Sequence, residues 1–152
     1  MTLIDRVIHR FMAGVLGIVF MGLITCSVVQ VVPWYRFTNE PEIITEKYYS
    51  PNEFMNIKFN RIALIDVQAR LVRELVRVDI DGNEYDIAKI SERLDIDKGV
   101  RHIIAQWHLP DTSEAPNLIP NTYFWRGSIT YKPFGMLEKT VKFTTNTFQI
   151  RY

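Results

Sequence analysis

Between Arg10 and Arg36 the chain carries no charged side chain, and this run, Phe11 to Tyr35, constrains the fold more than any other feature. An α-helix rises about 1.5 Å per residue and the hydrocarbon core of a bilayer is roughly 30 Å thick, so about twenty apolar residues span it. The few polar atoms in the run, on Thr25, Cys26, Ser27 and Gln30, can be satisfied by the helix backbone, a neighbouring helix or the interface. Residues 11–35 are therefore read as a transmembrane helix and the residues after them as its cargo. A cleaved signal peptide would carry an apolar stretch of only about 7 to 15 residues. Here the run continues through Val28, Val29, Val31 and Val32 to Trp34. Leu23-Ile24-Thr25-Cys26 loosely resembles a lipobox, yet Thr25 stands where a smaller residue is usual and apolar residues follow Cys26.

The flanks of the run set its orientation. Arg6 and Arg10 precede it, and Arg36 is the one basic residue among the ten that follow, so residues 1–10 are expected in the cytoplasm and the C-terminal domain outside the inner membrane. Thr2 and Asp5 have capping-box spacing, which starts the helix near residue 3. Pro33 should end it, and Arg10, Trp34 and Tyr35 are the expected anchors at the two membrane interfaces. Ala13 with Gly17, and Gly22 with Cys26, form small-xxx-small pairs of the kind that let helix backbones approach in lipid, so a homo-oligomer through the span is a candidate assembly.

The residues beyond the run are enough for one domain with a real core. Of 18 Lys and Arg and 17 Asp and Glu, only Arg6, Arg10 and Asp5 precede the run, so the remainder carries both signs equally. A nucleic-acid partner would call for a basic stripe, and none is present. The single cysteine, Cys26, lies in the apolar run, so an exported domain must hold together through its core, as suits a bacterial envelope. Residues 36–46, with Pro41 among charged neighbours, read as a juxtamembrane stalk, and 47–152 as the folded ectodomain.

The ectodomain reads as strands. Tyr123, Trp125, Ile129 and Tyr131 alternate with Phe124, Arg126, Ser128 and Thr130, a strand with one buried face, and Pro133-Phe134-Gly135 supplies the turn after it. From Thr140 to Tyr152, Val141 and Phe143 are out of phase with Phe148 and Ile150, which calls for a bulge near Thr145-Asn146. Val76, Val78 and Ile80 lead into Asp81-Gly82-Asn83, a hairpin signal, with Tyr85 and Ile87 on the return arm. Met55, Ile57 and Phe59 mark another strand, Ile103 to Leu109 another, and Ile43 to Tyr49 a first one. Val67 to Val76 also matches a helix face, but its clean alternation through Ile80 favours a strand; Asp86 to Leu94 could hold a helical turn. About seven short strands at this spacing argue for an all-β sandwich of two sheets.

Ile119-Pro120-Asn121-Thr122-Tyr123-Phe124-Trp125 resembles the start of the sixth strand of immunoglobulin-like sandwiches, where a tyrosine bonds back to the preceding corner. With Asp79-Ile80-Asp81-Gly82 and the terminal Phe148-Gln149-Ile150, the layout resembles small phage-encoded membrane proteins that carry one N-terminal span and an immunoglobulin-like domain outside. The resemblance implies the fold and the topology; fold analogy does not give function.

Chemistry is sparse. Asp79 to Glu84 looks like a calcium loop, but Glu84 and Ile90 occupy the places of the required Gly and Glu, so a hairpin with solvated acids accounts for it better. His102 and His108 on one strand would lie about 20 Å apart, too far for one metal. No nucleophile elbow, zinc-protease motif or phosphate loop occurs, so no catalytic residue, metal or cofactor is expected. Trp107, Trp125, Tyr123 and Tyr131 are core candidates. Phe124 and Arg126 fall on the opposite face and are the candidate partner-binding pair, and the loop Asp111 to Asn121 is either a contact loop or a connection. The expected function is a non-enzymatic, membrane-anchored interaction or structural module whose partners are the bilayer and another envelope or viral protein. The alternative is a holin-like or lysis-regulating protein that acts through oligomers of its span.

Overall fold

A computed structural model describes residues 3–44 and 48–151, in two units, one ending at Pro33 and the other beginning at Trp34. The first is a single helix, α1 (Leu3–Val31). Thr2, half of the expected capping box, lies outside the described residues. Within α1 the hydroxyls of Thr25 and Ser27 donate to the carbonyls of Met21 and Leu23, at 2.9 and 2.8 Å, so each is satisfied by its own helix. The segment Ile8–Val31, 24 residues, is long and apolar enough to cross a bilayer.

The second unit is an immunoglobulin-like β-sandwich. One sheet has the order β1 (Tyr35–Ile43), β3 (Phe54–Ala63), β6 (Gly99–His108). The other runs β2 (Tyr48–Tyr49), β9 (Phe148–Ile150), β7 (Asn121–Tyr131), β4 (Val67–Val78), β5 (Glu84–Ile96). In the second sheet β8 (Lys139–Thr144) pairs with the later half of β7, and β9 pairs with its start. Since β4 occupies the whole opposite edge of β7, β8 and β9 are successive halves of one interrupted strand. All pairings are antiparallel except β2 with β9. Strands β1, β3 and β6 take the places of A, B and E in an immunoglobulin domain, and β9, β7, β4 and β5 those of G, F, C and C′.

Period-two patterning explains the core. Ala69, Leu71 and Leu75 of β4, Tyr123, Trp125, Ile129 and Tyr131 of β7, and Met55 and Ile57 of β3 are all buried between the sheets, with Trp107 of β6. Tyr123 makes the expected corner: its hydroxyl donates to the Ile119 carbonyl at 2.7 Å and accepts from the Ile119 amide at 3.0 Å. The phase change in the last strand is resolved at the β8–β9 junction. There the Thr145 amide donates to the Trp125 carbonyl at 2.8 Å, and the Thr145 hydroxyl accepts from the Trp125 amide at 3.0 Å. Phe143, Phe148 and Ile150 all turn inward as a result.

In antibody domains a cysteine stands two residues after the corner tyrosine; here that place holds Trp125. Its indole meets Trp107 edge-on across the sheets, with centroids 5.8 Å apart. Arg73, on the inward face of β4, lays its guanidinium 4.9 Å from the Trp107 ring and 5.6 Å from the Trp125 ring. An aromatic and cationic stack thus occupies the space that a disulfide and its packing tryptophan fill elsewhere.

Several expectations are corrected. Residues 36–43 are not a stalk: they pair with β3 from Tyr35↔Ala63 to Ile43↔Ile57, and Tyr35 and Ile43 are core residues. The charged run Asn39 to Glu42 concealed this, because an edge strand tolerates outward charges and Pro41. The first strand expected over Ile43 to Tyr49 becomes the end of β1 and the short β2, with residues 45–47 outside the described set. Residues 67–76 are strand, and Asp86 to Leu94 holds no helical turn but lies within β5.

Candidate functional site

Phe124 and Arg126, the expected partner-binding pair, both lie on the face of β7 that points away from the inter-sheet core, but neither is available as expected. Phe124 is only 9 % exposed and sits opposite the fully buried Val76 of β4, outside the main core cluster. Arg126 is the hub of an ion network. Its Nε donates to Glu74 at 3.1 Å, Nη1 to Glu84 at 3.1 Å and Nη2 to Asp86 at 2.6 Å, while Lys89 donates to the other oxygen of Glu74 at 2.8 Å. Register explains the assembly, since Glu74 lies opposite Arg126 on one side and Lys89 on the other. Lys89 and Arg126 hold the Glu74 carboxyl below its ordinary pKa, and the hydrogen bond to Glu74 raises that of Arg126. Both shifts favour the charged forms of Glu74 and Arg126, so this central pair is held as fixed charges. Glu74, Glu84, Asp86 and Lys89 escaped notice in the sequence because only the pairing register brings them to Arg126.

A second polar feature faces the interior. Arg73 pairs with Glu92 of β5 at 3.0 Å, and the guanidinium is buried while the carboxylate is half-exposed. Burial holds the Arg73 pKa below its ordinary value and Glu92 pulls it back. Nε and Nη1 of Arg73 have no hydrogen-bond partner among the described residues; they lie over the two indoles instead. Beside this pair a cavity of about 250 Å³ opens between the sheets, lined by Tyr35, Phe37, Phe59, Glu92, Leu94 and Trp107. It is apolar apart from Glu92, Asp95, Gln106 and Arg61, and Arg61 is already engaged by the Asp97 carbonyl at 2.9 Å.

The acidic hairpin uses its own ligands. Asp79 accepts from the amides of Asp81 and Asn83, from the Asn83 side chain and from the Tyr85 hydroxyl, at 2.8 to 3.2 Å, and the Asn83 bonds foremost hold its carboxyl below the ordinary pKa. Asp111 likewise caps the loop that follows Pro110, accepting from the amides of Ser113 and Glu114 and the Ser113 hydroxyl. Its pKa is lowered, first by the Ser113 hydroxyl. Among the described residues no group of three or more His, Cys, Asp or Glu side chains could hold a metal ion. His102 contacts Asn60 and His108 contacts Asn52.

On α1 the candidate packing residues Ala13, Gly17 and Gly22 and the candidate anchor Arg10 are exposed, and the space a side chain would fill at Gly17 and Gly22 is open. Trp34 is partly exposed. Tyr35 is not an interface anchor: it is 1 % exposed, packs edge-on against Phe37 and Tyr131, and burial raises its pKa. Alternation decides this, since adjacent strand residues point to opposite faces.

No protein-family model matches the sequence, and no curated protein sequence matches it. Among solved structures, the Pseudomonas fluorescens alkylpurine DNA glycosylase AlkC, bound to DNA with an abasic-site analogue, is similar at 12 % identity and a TM-score of 0.44, over 84 % of this chain and 33 % of that one. The chain thus spans about a third of the glycosylase's length. The C-terminal domain of Wzt is similar at 10 % identity and a TM-score of 0.48, over 78 % of this chain and 74 % of that one. The CARDB domain of a Pyrococcus furiosus protein matches at 11 % identity and a TM-score of 0.30, over 74 % and 90 %. Likeness at this level carries no argument about function.

Proposed function

We propose that the chain is a non-enzymatic, membrane-anchored interaction module. α1 crosses the cytoplasmic membrane with residues 1–10 in the cytoplasm, and the immunoglobulin-like domain stands outside, where its surface binds another envelope or viral protein. One observation carries the reading. From Phe11 to Val31 the large apolar side chains of α1 other than Val29, among them Leu16, Ile18, Phe20 and Leu23, are exposed, which lipid accommodates and water does not. The domain side of the reading draws on the charged outer face around Arg126, whose fixed fan of Glu74, Glu84, Asp86 and Lys89 is a rigid pattern for recognising complementary charge.

Topology tests the proposal directly. Protease added outside spheroplasts should digest the domain after Arg36 and spare the N-terminus; a protected C-terminal domain would overturn the orientation and the envelope role with it. The lysis reading rests on the open surfaces at Ala13, Gly17 and Gly22. It requires that overexpression collapse the membrane potential and that Gly17→Leu prevent the collapse. If cells keep their potential and an unrelated span replaces Phe11 to Val32 without loss of partner capture, the tethered module stands.

A further inference from the structure

The sandwich has two ends, and the chain enters it at one of them. Tyr35 opens β1 opposite Ala63 at the close of β3, and Ala63 lies opposite Gly99 at the start of β6. The Leu64 amide donates to the Trp34 carbonyl at 2.8 Å, and the Tyr35 amide to the Tyr131 hydroxyl at 3.2 Å, where β7 closes. The β7–β8 turn is therefore at this same end, and the ring of its Phe134 meets Trp34 edge-on with centroids 5.1 Å apart. Only Val32 and Pro33 separate Trp34 from the last helical residue of α1, three steps along the chain and a reach of roughly 10 to 11 Å at 3.3 to 3.6 Å per residue.

Four large apolar side chains at this end, Leu64, Phe134, Met136 and Leu137, are exposed. Phe134 is the most telling. It is 62 % exposed and its φ is 53°, in the left-handed region that bulky side chains avoid and that Gly or Asn adopts readily. An aromatic ring is thus kept in water on a backbone that disfavours it, and its contact with Trp34 engages one side of the ring. A left-handed backbone beneath a largely exposed aromatic ring is strain of the kind that functional positions carry. Lys132 and Lys139 flank the turn, with apolar stems long enough to carry their charges up to headgroups. Glu138, Asp66 and Asp97 balance them and Lys98 at the same end, so attraction to an anionic surface is not what the turn is built for.

We propose that this turn is a second membrane contact: Trp34, Phe134, Met136 and Leu137 seat in the boundary between headgroups and acyl chains of the bilayer that holds α1. The proposal rests on the membrane-span reading. Its consequence is orientation, because a domain held by its tether and by its β7–β8 turn cannot tumble freely, and it presents the Asp79 hairpin and the Asp111 loop away from the membrane.

The test uses the full chain with Cys26→Ser, reconstituted in phosphatidylcholine vesicles that contain lipids spin-labelled either near the headgroup or in mid-chain. A polarity-sensitive fluorophore is placed at Ile18→Cys, Leu137→Cys or Ile80→Cys, Ile80 being 100 % exposed at the opposite end. The Leu137 probe should be quenched best by the headgroup-proximal label and shielded severalfold from iodide relative to the Ile80 probe. Phe134→Asn, which suits the left-handed backbone, should remove that shielding without lowering the thermal midpoint. A Leu137 probe as open to iodide as the Ile80 probe, with the Ile18 probe quenched in mid-chain, would overturn this contact and leave the span intact. Shielding that survives Phe134→Asn combined with Met136→Asn would also overturn it. An Ile18 probe open to iodide would overturn both readings together.

Discussion

If residues 35–43 are a core strand and not a tether, cutting the chain four residues further in should cripple the domain. A fragment beginning at Trp34 keeps all of β1, whereas one beginning at Thr38 loses Tyr35 and Phe37. Tyr35 is 1 % exposed, and Phe37 packs edge-on against Tyr35, Phe59 and Phe143 with centroids 5.5 to 5.6 Å apart. A buried aromatic removes about 150 to 250 Å² from water, which at about 25 cal/mol per Å² gives about 4 to 6 kcal/mol for Tyr35 and about half that for the partly buried Phe37. Allowing for residual compactness in the unfolded chain, the sum is about 5 kcal/mol or somewhat more. Domains of this kind have only about 5 to 15 kcal/mol in total. Urea unfolding followed by tryptophan fluorescence and far-ultraviolet circular dichroism should therefore place the Thr38 fragment about 2 M or more below the Trp34 fragment, or find it unfolded in buffer. Tyr35→Ala in the longer fragment should reproduce most of the loss. Coincident midpoints for the two fragments would refute the reasoning and restore the stalk.

Trp125→Ala should cost about 3 to 5 kcal/mol in the same assay, but Trp125→Phe about 1 to 2, because the buried indole N–H has no hydrogen-bond partner among the described residues and the phenyl ring removes that orphan donor. Equal losses would mean that the N–H is satisfied in solution. Gly127→Ala should destabilise by about 1 to 3 kcal/mol or more, since the new Cβ would stand 2.4 Å from the Val72 carbonyl oxygen and 2.6 Å from the Phe143 ring; a neutral effect would show that Phe143 does not lie over Gly127. Asp79 and Glu74 have folded pKa values below their unfolded ones, so the stability they contribute is complete above the ordinary carboxylate range, near pH 4, and is lost as pH falls through the lower folded values. Asp79→Asn should flatten the acid limb of the stability curve; an unchanged limb would place the Asp79 bonds outside the native state.

What the sequence made legible follows from local physics. The apolar run, the alternation of β7, the Asp81-Gly82 hairpin and the corner tyrosine each depend on a few adjacent residues; the last three are found where they were read, and the run is helical but only as far as Val31, short of the expected end at Tyr35. β4 is a strand as its alternation indicated, but in the opposite phase: Ala69, Leu71 and Leu75 turn inward, whereas Val76 pairs with Phe124 on the outer face and Ile80 is fully exposed. β1 was not legible, because an edge strand needs only some inward residues, and Tyr35, Ile43 and the half-buried Phe37 are separated by Thr38 to Glu42, a segment indistinguishable in composition from a linker. Tyr35 then served two readings at once, as the last residue of an apolar run and as the first residue of a strand, and only the pairing with Ala63 and the Tyr131 hydroxyl decides between them.

The surface was harder to read than the core for a reason that applies beyond this chain. Facing is a period-two property, so Phe124 and Arg126 were correctly set on the face opposite Tyr123 and Trp125, but exposure depends on what the neighbouring strands bring to that face. β4 brings Val76 beside Phe124 and Glu74 beside Arg126, and β5 adds Glu84, Asp86 and Lys89, so the ring is covered and the guanidinium saturated. Arg73 is the converse case: it stands inward in phase with Leu71 and Leu75, out of phase with Val76, Val78 and Ile80, and two indoles with Glu92 make a buried guanidinium tenable there. In each case the deciding partner lies tens of residues away and is fixed by strand register alone. Phe134, exposed on a left-handed backbone in a turn that no strand register sets, has Trp34 against its ring, and the proposed membrane contact supplies what would face the rest of it.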